Sequence, residues 1–139
     1  MNIAETIARI AADARTASYT MARLSTSVKN SLLMNMANAL IDSTTLLIEE
    51  NRRDLEAAEK KGLSGAMLDR LMLDEARIKG MADGLREVAA LPDPVGEVTR
   101  MWKRPNNLMV GKMRIPLGVI GIVYEARPNV TADAAALCL

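Results

Sequence analysis

The run Gly118-Val119-Ile120-Gly121-Ile122-Val123 carries no polar side chain. Successive side chains of a strand point to opposite faces, so a strand here is apolar on both. Such a strand needs neighbours on both edges and cover above and below. The rest of the sequence offers one hairpin and several helices, but no second strand of this kind. The expectation is a strand–loop–helix unit of a parallel α/β sheet, with the remainder of that sheet outside these 139 residues. The last residues, Leu137-Cys138-Leu139, agree: they leave apolar side chains and bare helical carbonyls at a chain end.

The first two-thirds reads as helix. Ile3, Ile7, Ile10, Ala14, Ala17, Met21 and Leu24 step by three and four and line one helical face. Ser25 or Thr26 suits the cap of a second helix, although no Glu completes a capping box. Val28, Leu32, Met36, Leu40 and Leu47 continue at helical spacing, and the charge-rich stretch from Asn51 to Lys61 predicts a solvated helical extension. Lys60 and Lys61 before Gly62 predict a helix end, with cations beside free carbonyls and Gly in the left-handed conformation. Asp74 suits the cap of another helix, whose stripe is Ile78, Met81, Leu85 and Val88. Pro92 and Pro94 stop it. Val98–Trp102 and Leu108–Ile115 then predict a β-hairpin around Arg104-Pro105-Asn106-Asn107, because Asn tolerates positive φ. The exposed Lys and Arg of this hairpin fit either nucleic-acid contact or protection of sheet edges, and the second is the simpler reading. Val130 to Leu139 reads as a small-residue helix.

Composition removes several functions. With no His and one Cys, a His-based zinc or iron site and an intrachain disulfide are excluded, and no metal is expected. A net charge of +1 gives no reason to expect nucleic acid or an anionic membrane as a partner. No run approaches the ~18 apolar residues of a membrane span. The first fifteen residues include Glu5 and Asp13 and have no continuous apolar core, unlike a secretory signal. A cytoplasmic protein is expected. With no Phe and ten Met, its core is built from flexible and aliphatic side chains.

In open α/β sheets ligands bind where loops leave the carboxyl ends of strands. Tyr124 to Asn129 is such a loop, with a phenol, a carboxylate, a guanidinium and an amide ahead of a helix N-terminus. Arg127 suits a phosphate or carboxylate through its planar fork of donors, or it simply pairs with Glu125 or an Asp. Asn129 suits an oxygen that gains negative charge in acyl chemistry, or it caps the helix through Thr131 or Ala132. Cys138, in the Ala-rich helix, reads as a small buried thiol.

The stretch Met113-Arg114-Ile115-Pro116-Leu117-Gly118-Val119-Ile120-Gly121-Ile122-Val123-Tyr124-Glu125-Ala126-Arg127-Pro128-Asn129-Val130-Thr131 resembles the gamma-glutamyl phosphate reductase family, within the aldehyde dehydrogenase superfamily. Ala134 to Leu139, Leu91 to Gly96, Arg104 to Asn107 and Val110 to Lys112 extend the likeness, and Tyr124 to Asn129 is its most specific part. The resemblance implies the N-terminal portion of an NADPH-dependent glutamate-5-semialdehyde dehydrogenase that reduces gamma-glutamyl phosphate in proline biosynthesis. It implies a Rossmann-like fold with residues 1–94 as helices of the cofactor domain, 95–116 as a hairpin of the oligomerisation arm, and 117–139 as the first strand–loop–helix. Homo-oligomerisation through the arm follows from the same likeness. Asn129 corresponds to the oxyanion donor, Arg127 lies near the substrate phosphate or carboxylate, and Tyr124 and Glu125 lie near the nicotinamide. In this family a Cys thiolate attacks the acyl phosphate, phosphate leaves, and hydride reduces the thioester. Cys138 does not match that nucleophile, so the 139 residues are expected to be inactive by themselves. Two other readings stay open: a helical interaction module without chemistry, and another acyl-reducing relative of the superfamily.

Overall fold

The computed structural model describes residues 2–125 and 127–139. Along the chain run α1 (Ile3–Met21), α2 (Thr26–Asp42), α3 (Thr44–Lys60), α4 (Gly65–Leu71), α5 (Glu75–Ala90), β1 (Val98–Lys103), β2 (Met109–Met113) and α6 (Asn129–Leu137). They fall into two compact units. One holds residues 25–91 and 121–139, and the other holds residues up to 24 together with 92–120.

The first unit is a helical assembly in which α2 packs on α5 and α5 on α6. Its core is Leu33 and Ala37 of α2, Ala82 and Leu85 of α5, and Ala136 of α6. Ala37 and Ala82 have no exposed surface, so small side chains let the helix backbones approach closely. Met36, Leu40 and Val88 pack around this core. The stripe expected on α5 is the buried one: Ile78, Met81 and Leu85 are enclosed. On α2 the expected face is displaced. Lys29, Leu33 and Ala37 turn inward, while Val28 and Leu32 are exposed. Two neighbouring rows compete there, and the inward one, which includes Lys29, has the alanine that fits close to α5.

The helix ends follow local chemistry. Ser25 caps α2 by accepting from the backbone N–H of Val28. Ser43 separates α2 from α3, which bend by 67° where the sequence reads as continuous. Gly62, at φ 74°, closes α3, with its N–H donating to Glu59 and that of Leu63 donating to Ala58. This pairing satisfies two of the last carbonyls, and only Gly enters it without strain. Asp74 caps α5 by accepting from the N–H of Arg77 at 2.7 Å. No single helix among the described residues is long and apolar enough to cross a membrane.

In the other unit β1 and β2 form the expected antiparallel hairpin, pairing Met101 with Gly111, Trp102 with Val110 and Lys103 with Met109. Asn107 takes φ 67° in the turn, as an Asn can. Gly111 leaves room for Met101, whose sulfur a Cβ there would strike. Arg100 lies over the Trp102 ring at 5.3 Å. Helix α1 forms where its spacing predicts, but it buries no residue.

Residues 118–123 do not form the expected strand. The backbone carries no ladder, Gly118 sits at φ 90°, and Val123 is wholly exposed. A strand exists only by pairing, and no described segment pairs with this one.

Candidate functional site

The loop after Val123 enters α6 through Pro128, whose φ of −61° and ψ of −31° are already helical. The ring fixes φ near this value and removes an N–H that has no partner at a helix start. Asn129 is therefore the first residue of α6 and not its cap, and no side chain caps this helix. The expected bond to Thr131 or Ala132 gives way to another: Asn129 Nδ2 donates to Asp133 Oδ2, one turn along, at 3.0 Å. An amide nitrogen carries two N–H groups, so this contact leaves one for a ligand. Tyr124 is tied to the same turn, its hydroxyl 2.6 Å from Thr131 Oγ1. The two contacts hold the start and the end of the loop against one helix.

Glu125 and Arg127 are exposed, and neither forms an ion pair among the described residues. The alternative in which Arg127 pairs with Glu125 or an Asp is not seen among the described residues. Arg127, Pro128, Asn129 and Asp133 form one wall of an open cleft of about 450 Å³. The facing wall comes from α4, α5 and their link, through Asp69, Arg70, Met72, Leu73, Arg77 and Met81. Tyr124 and Glu125 are not among the lining residues.

That facing wall is fixed from two sides. Arg77 Nη1 donates to the carbonyls of Asp69 and Met72, and Nη2 donates to Asp69 Oδ1 at 2.8 Å. Asn51, only 4% exposed, donates from Nδ2 to the carbonyl of Leu71 at 2.8 Å and accepts from the N–H of Leu73 at 2.7 Å. Its amide pairs with the link as another backbone would, and both buried groups are satisfied. Sequence reading missed Asn51, Arg70 and Arg77. For Asn51 a cue existed: it lies four residues after Leu47 and four before Leu55, a polar residue on an apolar row. Arg70 and Arg77 had none, because their meeting with Arg127 depends on how α4, α5 and α6 pack.

Cys138 is exposed, contrary to the expectation of burial. It is the C-cap of α6, and Ala136 is the residue that turns into the core. Among the described residues no group of three His, Cys, Asp or Glu side chains is arranged to hold a metal.

No family model matches the chain. It is 81% identical over all 139 residues to a gamma-glutamyl phosphate reductase of Geobacter metallireducens, and 58% identical over the same length to one of Clostridium novyi. It spans 33% of the length of each, about a third of the relatives it matches. Two crystal structures of gamma-glutamyl phosphate reductase share its fold. The one from Thermotoga maritima has a TM-score of 0.86 at 37% identity, covering 89% of this chain and 30% of that one. The one from Saccharomyces cerevisiae has a TM-score of 0.88 at 32% identity, covering 93% and 33%. The likeness read from the sequence thus covers the whole chain, and the α/β fold is that of the corresponding region of these reductases.

Proposed function

We propose that this chain is the N-terminal part of a reductase that converts gamma-glutamyl phosphate to glutamate semialdehyde and phosphate in proline biosynthesis, with NADPH as reductant. The observation that carries this reading is the 81% identity along every residue of the chain to a protein of that name. The loop geometry supports it. Asn129 keeps one amide N–H for the oxygen that becomes negative when the acyl group is attacked, and its bond to Asp133 holds the amide in place. Arg127, exposed in the cleft and without a carboxylate partner among the described residues, suits the substrate's phosphate.

Tyr124 and Glu125 fit one end of a nicotinamide cofactor. The tyrosine is about half exposed and offers a ring face, while the exposed glutamate offers its carboxylate to hydroxyl or amide donors. When bound, the cofactor supplies the hydride. The bond from Tyr124 to Thr131 orients the ring without using its face. In this reading residues 1–94 belong to the cofactor domain, 95–116 to an arm through which copies assemble, and 117–139 to the first strand–loop–helix of the core, whose strand at 118–123 forms only when paired with the rest of the sheet. The protein works in the cytoplasm, and the 139 residues do not catalyse alone.

The experiment is turnover of gamma-glutamyl phosphate by the full-length protein carrying this chain, followed by NADPH oxidation. Asn129→Ala is expected to lower turnover by about a hundredfold or more, with a smaller effect on KM. The lost contact to Asp133 is exposed, so the melting temperature stays close to the parent's. An Asn129→Ala protein that turns over at the parent rate removes the oxyanion role.

A further inference from the structure

We infer that Arg70 is a second anion-binding residue of the cleft and holds the α-carboxylate of the substrate, while Arg127 holds its phosphate. The inference rests on the reductase reading above. Among the described residues, three arginines line the cleft: Arg70, Arg77 and Arg127. Arg77 is committed to the protein, with one nitrogen on two carbonyls and the other on the Asp69 carboxylate. Asp69 is thereby neutralised as well. Asp133 is the remaining carboxylate of the cleft and accepts from Asn129. Arg70 and Arg127 are both exposed, and neither is in an ion pair among the described residues.

The proposed substrate is anionic at both ends, with a phosphate on the side-chain acyl group and a carboxylate on the α-carbon. Methylene groups separate them, so one guanidinium does not serve both. The two available arginines come from different elements: Arg70 from the last turn of α4, and Arg127 from the loop entering α6. Arg127 stands beside the first turn of a nine-residue helix, where free N–H groups add to the attraction for a phosphate. Arg70 stands at a helix C-terminus and has only its own fork to offer, which matches the two oxygens of a carboxylate. The wall that carries Arg70 is held by Asn51 and Arg77, so the backbone from which Arg70 reaches is fixed.

Running the full-length enzyme in reverse separates the two anions, because phosphate and glutamate semialdehyde are then independent substrates. Arg70→Gln is expected to raise the KM for the semialdehyde by about tenfold or more and to leave the KM for phosphate unchanged. Arg127→Gln is expected to do the opposite. Arg70→Lys should recover part of the loss, since charge remains without the planar fork. Both arginines are exposed, so the melting temperatures of the variants should match the parent's. An Arg70→Gln enzyme with both KM values unchanged, or with only the phosphate KM raised, overturns the assignment while leaving the reductase reading intact. A parent protein that turns over neither gamma-glutamyl phosphate nor the semialdehyde overturns that reading and this inference with it.

Discussion

Helices α1 and α5 share a pattern of apolar residues at steps of three and four, yet their fates differ. On α5, Ile78, Ala82 and Leu85 are almost wholly enclosed, Ala82 and Leu85 in one cluster with residues of α2 and α6. On α1, Ile3, Ile7 and Ile10 are 80%, 58% and 55% exposed. Periodicity selects the helix in both cases, because it depends on the chain alone. Burial requires a second surface of matching shape, and only α5 has one among the described residues. The segment 118–123 extends the lesson to strands. It is as apolar as any core strand, but without a ladder partner it stays unpaired and exposed.

The difference can be tested by substitution in the chain, from the largest expected effect to the smallest. Leu85→Ala should destabilise the chain by about 2–5 kcal/mol in denaturant titration, because it empties space in a packed core. A cost below about 1 kcal/mol would mean that the α2–α5 contact is as loose as α1. Asn51→Ala should cost about 1–3 kcal/mol, since it leaves the Leu71 carbonyl and the Leu73 N–H without their partner. Hydrogen exchange at Leu73 should accelerate in that variant, and an unchanged rate would show that the link is held by other contacts. Replacing Ile122 and Val123 together by Ser should move stability by no more than about 0.5 kcal/mol. The same change should lower the binding of a hydrophobic dye, whereas a large loss of stability would reveal a buried role for this segment.

The smallest effect concerns Asp83 on α5. Hydrogen bonds from Lys79 and then Arg86 hold its carboxyl below the usual range. A lowered folded-state value contributes stability above the ordinary Asp pKa of about 3.9, and this contribution is lost as pH falls through the lowered value. Melting temperatures of Asp83→Asn and the parent should therefore differ slightly near neutral pH and converge in acid. A gap that widens on acidification would reverse the assignment. High salt should shrink it too, because the group is exposed.

Much of the local structure was legible in the residues. The caps at Ser25 and Asp74, the left-handed Gly62, the hairpin turn ending at Asn107 and the α5 stripe follow from side-chain chemistry within a few positions. The loop from Tyr124 to Asn129 carries the most specific part of the family likeness, and the polar residue types read there stay exposed at Tyr124, Glu125, Arg127 and Asn129. What the sequence by itself determined is therefore element type, helix ends, and a family likeness along the chain that is most specific in one loop.

Tertiary structure alone decided the rest. It chose Leu33 and Ala37 over Leu32 and Val28 as the inner face of α2, although that row also carries Lys29, because the small Ala37 lets α2 fit closely to α5. It gave Asn129 to Asp133 instead of a capping role, because Pro128 started the helix one residue earlier. It exposed Cys138, set just past the last packed turn of α6. It also brought Arg70 to the cleft that Arg127 enters, 57 positions along the chain. Local patterns are set by neighbours within a turn or two, whereas a cleft between α4, α5 and α6 exists only after those helices have found their packing.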